Sequence, residues 1–558
     1  MFEWKKNSGW LLGLFLIGFI IYAFNLNNPL FWDDADWILN NATLHALTWA
    51  NIKFIFSHNV LAGIGQVSNY YRPFLFLTFL ANYLISGPNP VLYHIVSNGI
   101  HIFNACLIFY LLTRWLGSKR VAFLTALLFL IHPLQTEAVA YISGRGDSLS
   151  VFFMLLSLLL WINDIECRYG KTVDNSPQRH RMSLRVLSVI SMVLAVLSRE
   201  TAVLFPAYLG VALMAFEYKG LIWERFKKAF ISTLLFIGIS VIYGILRLTV
   251  FNFQNTLNFY QQQNIYSEHL SYRVYTFFHA LVVYIRLVFW PVGLHMDRDI
   301  PVSIHIWDGW SWLGALIIIM VIVQLFILYR RTDKILFNVW FFGSGIFFVN
   351  LLPTSGIVPI NARIYEHWLY FSLFGLFVLV AFYLDKTLSF FKNKNSTLYS
   401  LFIIFLIIYF SFFGVQTIRR NIIWGDTEAF YLNILYYEPQ DVRVLNNLGN
   451  WYSDRGNNVS AGPLYERAIS ADPSQPAPYY NLGNIARDSG QLIQAEALYQ
   501  KAIAVDPTFH YAYGNLAQLY LNQNKLDQAL AELQALEKIY PTVQTEKNIE
   551  MLQRAINK

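Results

Sequence analysis

Charge is what this sequence has least of. Only 13% of its 558 residues are Asp, Glu, Lys or Arg, about half the share of a soluble globular chain, which excludes a simple water-soluble domain. There are two cysteines, Cys106 inside an apolar run and Cys167 beside a basic stretch; they make no disulfide framework and leave the redox compartment undetermined. Gly-x-Ser-x-Gly, His-Glu-x-x-His and Walker sequences are missing, and Gly63-Ile64-Gly65 lacks the strand context and third glycine of a dinucleotide loop. Hydrolase, metalloprotease, ATPase and dinucleotide-binding readings therefore have no support. What is abundant is apolar: 56% of the chain, with aromatics at 17%, which requires a bilayer as solvent. The net charge of +7 arises within 1–418, since 419–558 holds more acidic than basic residues. Such basicity sets membrane topology and does not imply nucleic acid.

Apolar runs long enough to cross a hydrocarbon core of ~30 Å, or nearly so, fall near 9–25, 91–113, 119–134, 148–164, 184–198, 201–217, 229–250, 311–330, 335–353, 366–386 and 398–418. The first follows Lys5 and Lys6 but has no small-x-small site before Asn25, so it reads as an uncleaved anchor. With the N-terminus inside, eleven spans place the basic loops Arg114 to Arg120, Arg168 to Arg185, Lys219 to Lys228, Arg330 to Lys334 and Lys386 to Lys394 on the cytoplasmic side. Two further stretches, 73–86 and 275–293, would disturb that pattern as full spans and are expected to be interfacial or re-entrant helices on the outer side. The odd count delivers the tail to the non-cytoplasmic face.

In that tail a 34-residue period appears. Gly449, Gly483 and Ala517 are related by it, as are Leu448, Leu482 and Leu516; Ala461, Ala495 and Ala529; and Pro473, Pro507 and Pro541. This is the signature of a helix–turn–helix repeat, and it looks like three tetratricopeptide repeats. The expected organisation is a membrane domain over 1–418, a connecting half-repeat over 419–441, three repeats over 442–541 and a capping helix over 542–558. The fold class is all-α: a polytopic membrane bundle followed by a solenoid whose concave groove suits a peptide or protein partner.

Four charged clusters come to the outer side in this topology. Asp33 and Asp34 are adjacent carboxylates at an apolar interface; one can serve as a base near neutrality, both can hold a divalent cation, or one can cap a short helix. Glu137 is followed by Arg145 and Asp147, a group too concentrated for so apolar a loop to be merely solvated. Arg199-Glu200 forms a tight charged turn, equally well read as a snorkelling pair. Arg363, Tyr365, Glu366 and His367 stand at the outer end of a span, where an arginine suits a phosphate or carboxylate, although Glu366 can neutralise Arg363 internally. His94, Asn98 and His101 form a polar stripe better explained by interhelical hydrogen bonds than by metal binding.

The aspartate pair, Tyr71-Arg72-Pro73, His132-Pro133 with Thr136-Glu137-Ala138, Gly144-Arg145-Gly146-Asp147, Arg199-Glu200, Arg363 with Tyr365 to Tyr370, and the terminal repeats together resemble the GT-C superfamily of membrane glycosyltransferases. The chain is most similar to the transmembrane-and-tetratricopeptide-repeat O-mannosyltransferases and their bacterial relatives, in order and over nearly its whole length. The resemblance implies inverting transfer of one sugar from a polyprenyl-phosphate donor to a hydroxyl of a protein or glycan. It implies Asp33, Asp34 and Glu137 in catalysis, and Arg145, Asp147, Arg199, Glu200, Arg363, Tyr365 and His367 in substrate binding. Arg199 stands where the relatives usually carry lysine, which replaces a point charge by a bidentate fork. No obligate metal is implied, and a bacterial inner membrane with a periplasmic tail is the expected setting. An oligosaccharide ligase or polymerase, and a non-catalytic membrane scaffold, are the competing readings.

Overall fold

The computed structural model describes residues 4–168, 178–253, 264–331, 333–360 and 362–557. Part of the basic loop between Arg168 and Arg185, part of the loop after residue 250, and Asn361 lie outside them. Helices account for nearly all regular structure, and the described residues contain no strand. The chain divides into two compact units, Met1–Asp426 and Thr427–Lys558.

In the first unit, ten helices are long and apolar enough to cross a membrane, and eleven if one bent pair is a single span. Local chemistry sets their limits. The helix Pro90–Leu116 starts with Asn89 accepting the Val91 N–H and proline at the first helical position, and ends at Gly117 with φ +66°. Ser118 at once caps Lys119–Ile131 by accepting from Val121 N. Pro133 has no N–H to continue that helix, and the chain bends by 56° between Lys119–Ile131 and Pro133–Ala140. Two helices pack through glycine: a Cβ on Gly375 would lie 2.4 Å from Gly343 O, and one on Gly343 2.7 Å from Gly375 O, the close approach small residues permit between membrane helices.

Two expected elements differ. The stretch placed at the interface, 275–293, belongs to a 20-residue helix, Leu270–Phe289, long and apolar enough to cross. The basic-loop pattern had argued against a crossing here, yet the helix's Arg273 and His279 are buried against protein, so their polarity faces away from lipid. Conversely the expected span 184–198 is short, its apolar part covering Met182–Ser198. The helix Pro73–Ser86, at 14 residues, is too short for a crossing. The polar stripe does what was expected of it: Asn98 exchanges hydrogen bonds with Asn25 (3.0 and 2.8 Å), His94 reaches Asn28 O at 3.0 Å, and His101 Nδ1 lies 2.7 Å from the Tyr370 hydroxyl.

The second unit is three helical hairpins, Val442–Ser453 with Asn458–Ala471, Pro476–Asp488 with Leu492–Val505, and His510–Asn522 with Leu526–Ile539, preceded by Thr427–Tyr437 and followed by Val543–Ile556. Gly449 and Gly483 make room for tyrosine rings: a Cβ would come within 2.5 Å of Tyr465 and 2.8 Å of Tyr499. In the third repeat the same two positions hold Ala517 and Leu533, a larger residue facing a smaller filler.

Candidate functional site

Every residue from Leu128 to Val151 is buried, although the stretch includes His132, Glu137, Arg145 and Asp147. Buried polar groups demand partners, and the search for them assembles the site. Gly144 and Gly146 let this segment fold tightly: a Cβ on Gly144 would meet Glu137 O at 2.7 Å, and one on Gly146 would meet Ser198 O at 3.1 Å.

Asp34 docks onto this segment. Its Oδ1 accepts from Ser143 N at 2.7 Å and Ser143 Oγ at 2.5 Å, and its Oδ2 from Ile142 N at 3.4 Å. The side chain caps no helix, although Asp34 precedes a short helical turn, Ala35–Leu39. Burial pushes its carboxyl up to about 7, against the pull of the Ser143 and Ile142 donors, with Asp33 adding repulsion. Asp33 is half-buried. Oxygens that already face N–H and O–H donors do not fit a divalent cation, and no group of three metal-ligating side chains occurs among the described residues.

Glu137 takes His367. His367 Nδ1 lies 2.5 Å from Glu137 Oε1, and His367 N donates to Oε2 at 3.2 Å. Beside them lies a narrow cleft whose walls include Asp147, Arg199, Asn350, His367, Trp368 and Tyr370. Arg199 Nη1 is 2.7 Å from Asp147 Oδ2, with both side chains 11% exposed. This is charge contact without hydrogen-bonding alignment, because Asp147 Oδ2 accepts no hydrogen bond. Next to it Glu200 accepts from Arg72 Nε at 3.0 Å and from Tyr71 N at 3.0 Å; the carboxylate outweighs burial and raises Arg72 above the ordinary guanidinium value.

The remaining predicted residues fall elsewhere. Arg145 is fully buried and spends its donors inward: Nε on Ser97 Oγ (2.9 Å), Nη1 on Thr78 Oγ1 (3.1 Å) and Asn82 Oδ1 (2.7 Å), Nη2 on Tyr93 O (2.8 Å). It is not among the residues that line the cleft; satisfied donors and complete burial make it a clamp for its own segment. Arg363 is not neutralised by Glu366. It pairs with Asp299 at 2.7 Å and donates to Ile300 O, while Glu366 is held by Arg420 at 2.9 Å and Arg298 at 3.8 Å. The three arginines thus do not form a pool of surplus charge. Tyr365 stacks on His367 at 5.1 Å and its hydroxyl donates to Asp297 Oδ1 at 3.3 Å. Asp297, Arg298, Asp299 and Arg420 carry no motif in the sequence; the charged triplet Asp297-Arg298-Asp299 between apolar helices is the one signal that points to them.

A helical membrane domain with charged groups gathered around a cleft, joined to a tetratricopeptide solenoid, defines the class. Tetratricopeptide-repeat models match residues 444–477, 464–497 and 486–555. The chain is similar to the protein O-mannosyl-transferases: it is 27% identical to the *Caenorhabditis elegans* protein O-mannosyl-transferase F38B6.6 over 83% of this chain and 63% of that protein. It is 30% identical to human protein O-mannosyl-transferase TMTC1 over 33% of this chain and 21% of that protein. The chain therefore spans less than two thirds of the length of these relatives. Among solved structures it aligns with ArnT from Cupriavidus metallidurans bound to undecaprenyl phosphate, at 12% identity over 93% of this chain and 81% of that one, with a TM-score of 0.37. The expected resemblance to tetratricopeptide-repeat O-mannosyltransferases is thus met in sequence.

Proposed function

We propose that this chain transfers one sugar, with inversion, from a polyprenyl-phosphate donor to a hydroxyl of a protein or glycan at the non-cytoplasmic face of a membrane. The observation that carries the proposal is Arg199: a guanidinium 11% exposed on the cleft wall, in charge contact with Asp147, whose N–H groups donate to no protein acceptor among the described residues. Nη1 stands 2.7 Å from Asp147 Oδ2, and on the cleft side the guanidinium fork suits the bidentate geometry of a phosphate. The similarity to protein O-mannosyl-transferases supports the same reading.

In this mechanism the glycosyl centre passes through an oxocarbenium-like state while the acceptor oxygen gives up its proton and the phosphate leaves with its charge balanced. Asp33, half-buried beside the buried and hydrogen-bonded Asp34, is the acceptor-side base. Asp34 anchors that loop to Ser143, on the same buried segment that ends at Asp147. Arg199 takes the leaving phosphate, with Glu200 and Arg72 holding the turn. The repeats bind the acceptor or a partner protein on the periplasmic side of a bacterial inner membrane.

The test is mass spectrometry of secreted and membrane proteins from cells with and without the chain. Hexose-sized additions at serine or threonine that vanish with the chain are expected; identical spectra overturn the reading. Orientation has its own check. In a chain freed of Cys106 and Cys167, Ser489→Cys should react with a membrane-impermeant maleimide in intact spheroplasts, and protection until lysis assigns the repeats to the cytoplasm.

A further inference from the structure

Resting on that reaction, we infer that His367 is a catalytic residue, the acid that protonates the departing phosphate, with Glu137 as its positioning residue. The imidazole is held at two points, Nδ1 by Glu137 Oε1 at 2.5 Å and its own backbone N–H by Oε2 at 3.2 Å, and it stacks on Tyr365. That leaves one functional edge: Nε2 makes no hydrogen bond to the protein among the described residues, and His367 lines the cleft. Glu137 is 1% exposed and lies within a wholly buried stretch, so its carboxylate is committed to the imidazole. A carboxylate behind Nδ1–H stabilises the imidazolium and orients it, the state that carries a proton on Nε2.

The wall facing this edge is suited to an anion. Arg199 lines the same cleft, and no other histidine does. The step balances as follows. The bond between the anomeric carbon and the phosphate oxygen breaks with its electron pair passing to that oxygen, which takes the Nε2 proton of His367. The acceptor oxygen forms the new bond to carbon and loses its proton to Asp33. Products are the glycosylated hydroxyl and the protonated polyprenyl phosphate, and each side chain returns to its starting state by exchange with water. Asp34 does not compete for this role, because Ser143 and Ile142 occupy its oxygens.

The charged and titratable groups around the imidazole are Glu137, Asp147 with Arg199, Tyr365 and Tyr370, and Glu366 with Arg420 and Arg298. The arginines keep their charge throughout this range. The experiment is transfer from a synthetic polyprenyl-phosphate mannose to a serine/threonine peptide by the full chain in liposomes, from pH 5.5 to 9. Wild type should lose turnover on the basic side as Nε2 gives up its proton. His367→Gln should lower kcat on the order of 10²–10⁴-fold, leave the donor KM little changed and abolish the basic limb. Glu137→Gln should move that limb to lower pH, which loss of structure alone would not do. A wild-type profile flat on its basic side overturns the assignment without any variant, as does a monodisperse His367→Gln protein that keeps wild-type kcat. Wild type that transfers no sugar at any pH instead overturns the function proposed above, which separates the two failures.

Discussion

The membrane unit and the repeat unit both use glycine to let a neighbour come close, yet they tolerate error differently. In the repeats the neighbour is a side chain, the Tyr465 or Tyr499 ring, and the solution recurs every 34 residues with variation, ending in Ala517 and Leu533. In the membrane unit the neighbour is backbone, Glu137 O behind Gly144 and Gly343 O behind Gly375, and each solution occurs once. A ring can rotate away; a carbonyl fixed in a buried segment cannot. Redundancy belongs to the repeat unit, and singularity to the membrane unit.

The largest effect that sharpens this contrast is functional. Asp33→Asn should reduce turnover on the order of 10²–10⁴-fold while the purified protein keeps its thermal unfolding profile, and turnover within a fewfold of wild type would remove Asp33 from the mechanism. The next effect separates two arginines one turn of argument apart. Arg145→Met strands Asn82, Ser97 and Tyr93 O in a sealed interior and should cost about 3–5 kcal/mol, seen as failure to elute as a monodisperse species. Arg199→Met should leave the fold intact and raise the donor KM roughly tenfold to a hundredfold, since it removes N–H groups that serve no protein acceptor. Similar folding losses in both would make Arg199 structural.

Smaller effects test the glycines directly. Gly144→Ala drives a Cβ against Glu137 O at 2.7 Å and Tyr141 O at 3.1 Å and should cost about 2–3 kcal/mol. Gly483→Ala meets the Tyr499 ring at 2.8 Å and should cost about 1 kcal/mol or less, with local protease sensitivity confined to the repeats. Equal costs would break the distinction between ring and carbonyl. A further effect is a pH slope. Asp34 is protonated more readily folded than unfolded, since burial holds it up to about 7 against an unfolded value near 3.9. The folded state binds the extra proton between those values, so stability should fall as pH rises from about 4 to 7 and level off above. The melting temperature of Asp34→Asn should lack that component, and parallel curves for the two proteins would deny it.

How much was legible follows the same division. The repeats announced themselves because one physical solution was written three times at one spacing, and the glycine-to-tyrosine contacts follow from that register. The membrane helices were legible wherever hydropathy was decisive. They failed at Leu270–Phe289, which the count of basic loops had left out as a span, because a sequence shows that polar side chains such as His279 are present and not which way they face. At the site the charged motifs were visible as residue types, but their pairing was not: Glu137 with His367 is a contact across 230 positions, and Glu366 chose Arg420 over the nearby Arg363. Proximity along the chain was a poor guide to partnership, and burial reversed the meaning of Arg145 from ligand-seeking to self-satisfied.

The clamp on Arg145 also bears on the order of assembly. All of its acceptors, on Thr78, Asn82, Tyr93 and Ser97, precede it in the chain, so at the ribosome they have been made before the arginine emerges. Glu137 is in the opposite position, since His367 is synthesised more than two hundred residues later. The segment that links them is thus secured at one end early and left waiting at the other, and chains arrested before residue 367 should carry a folded Arg145 clamp beside an incomplete cleft.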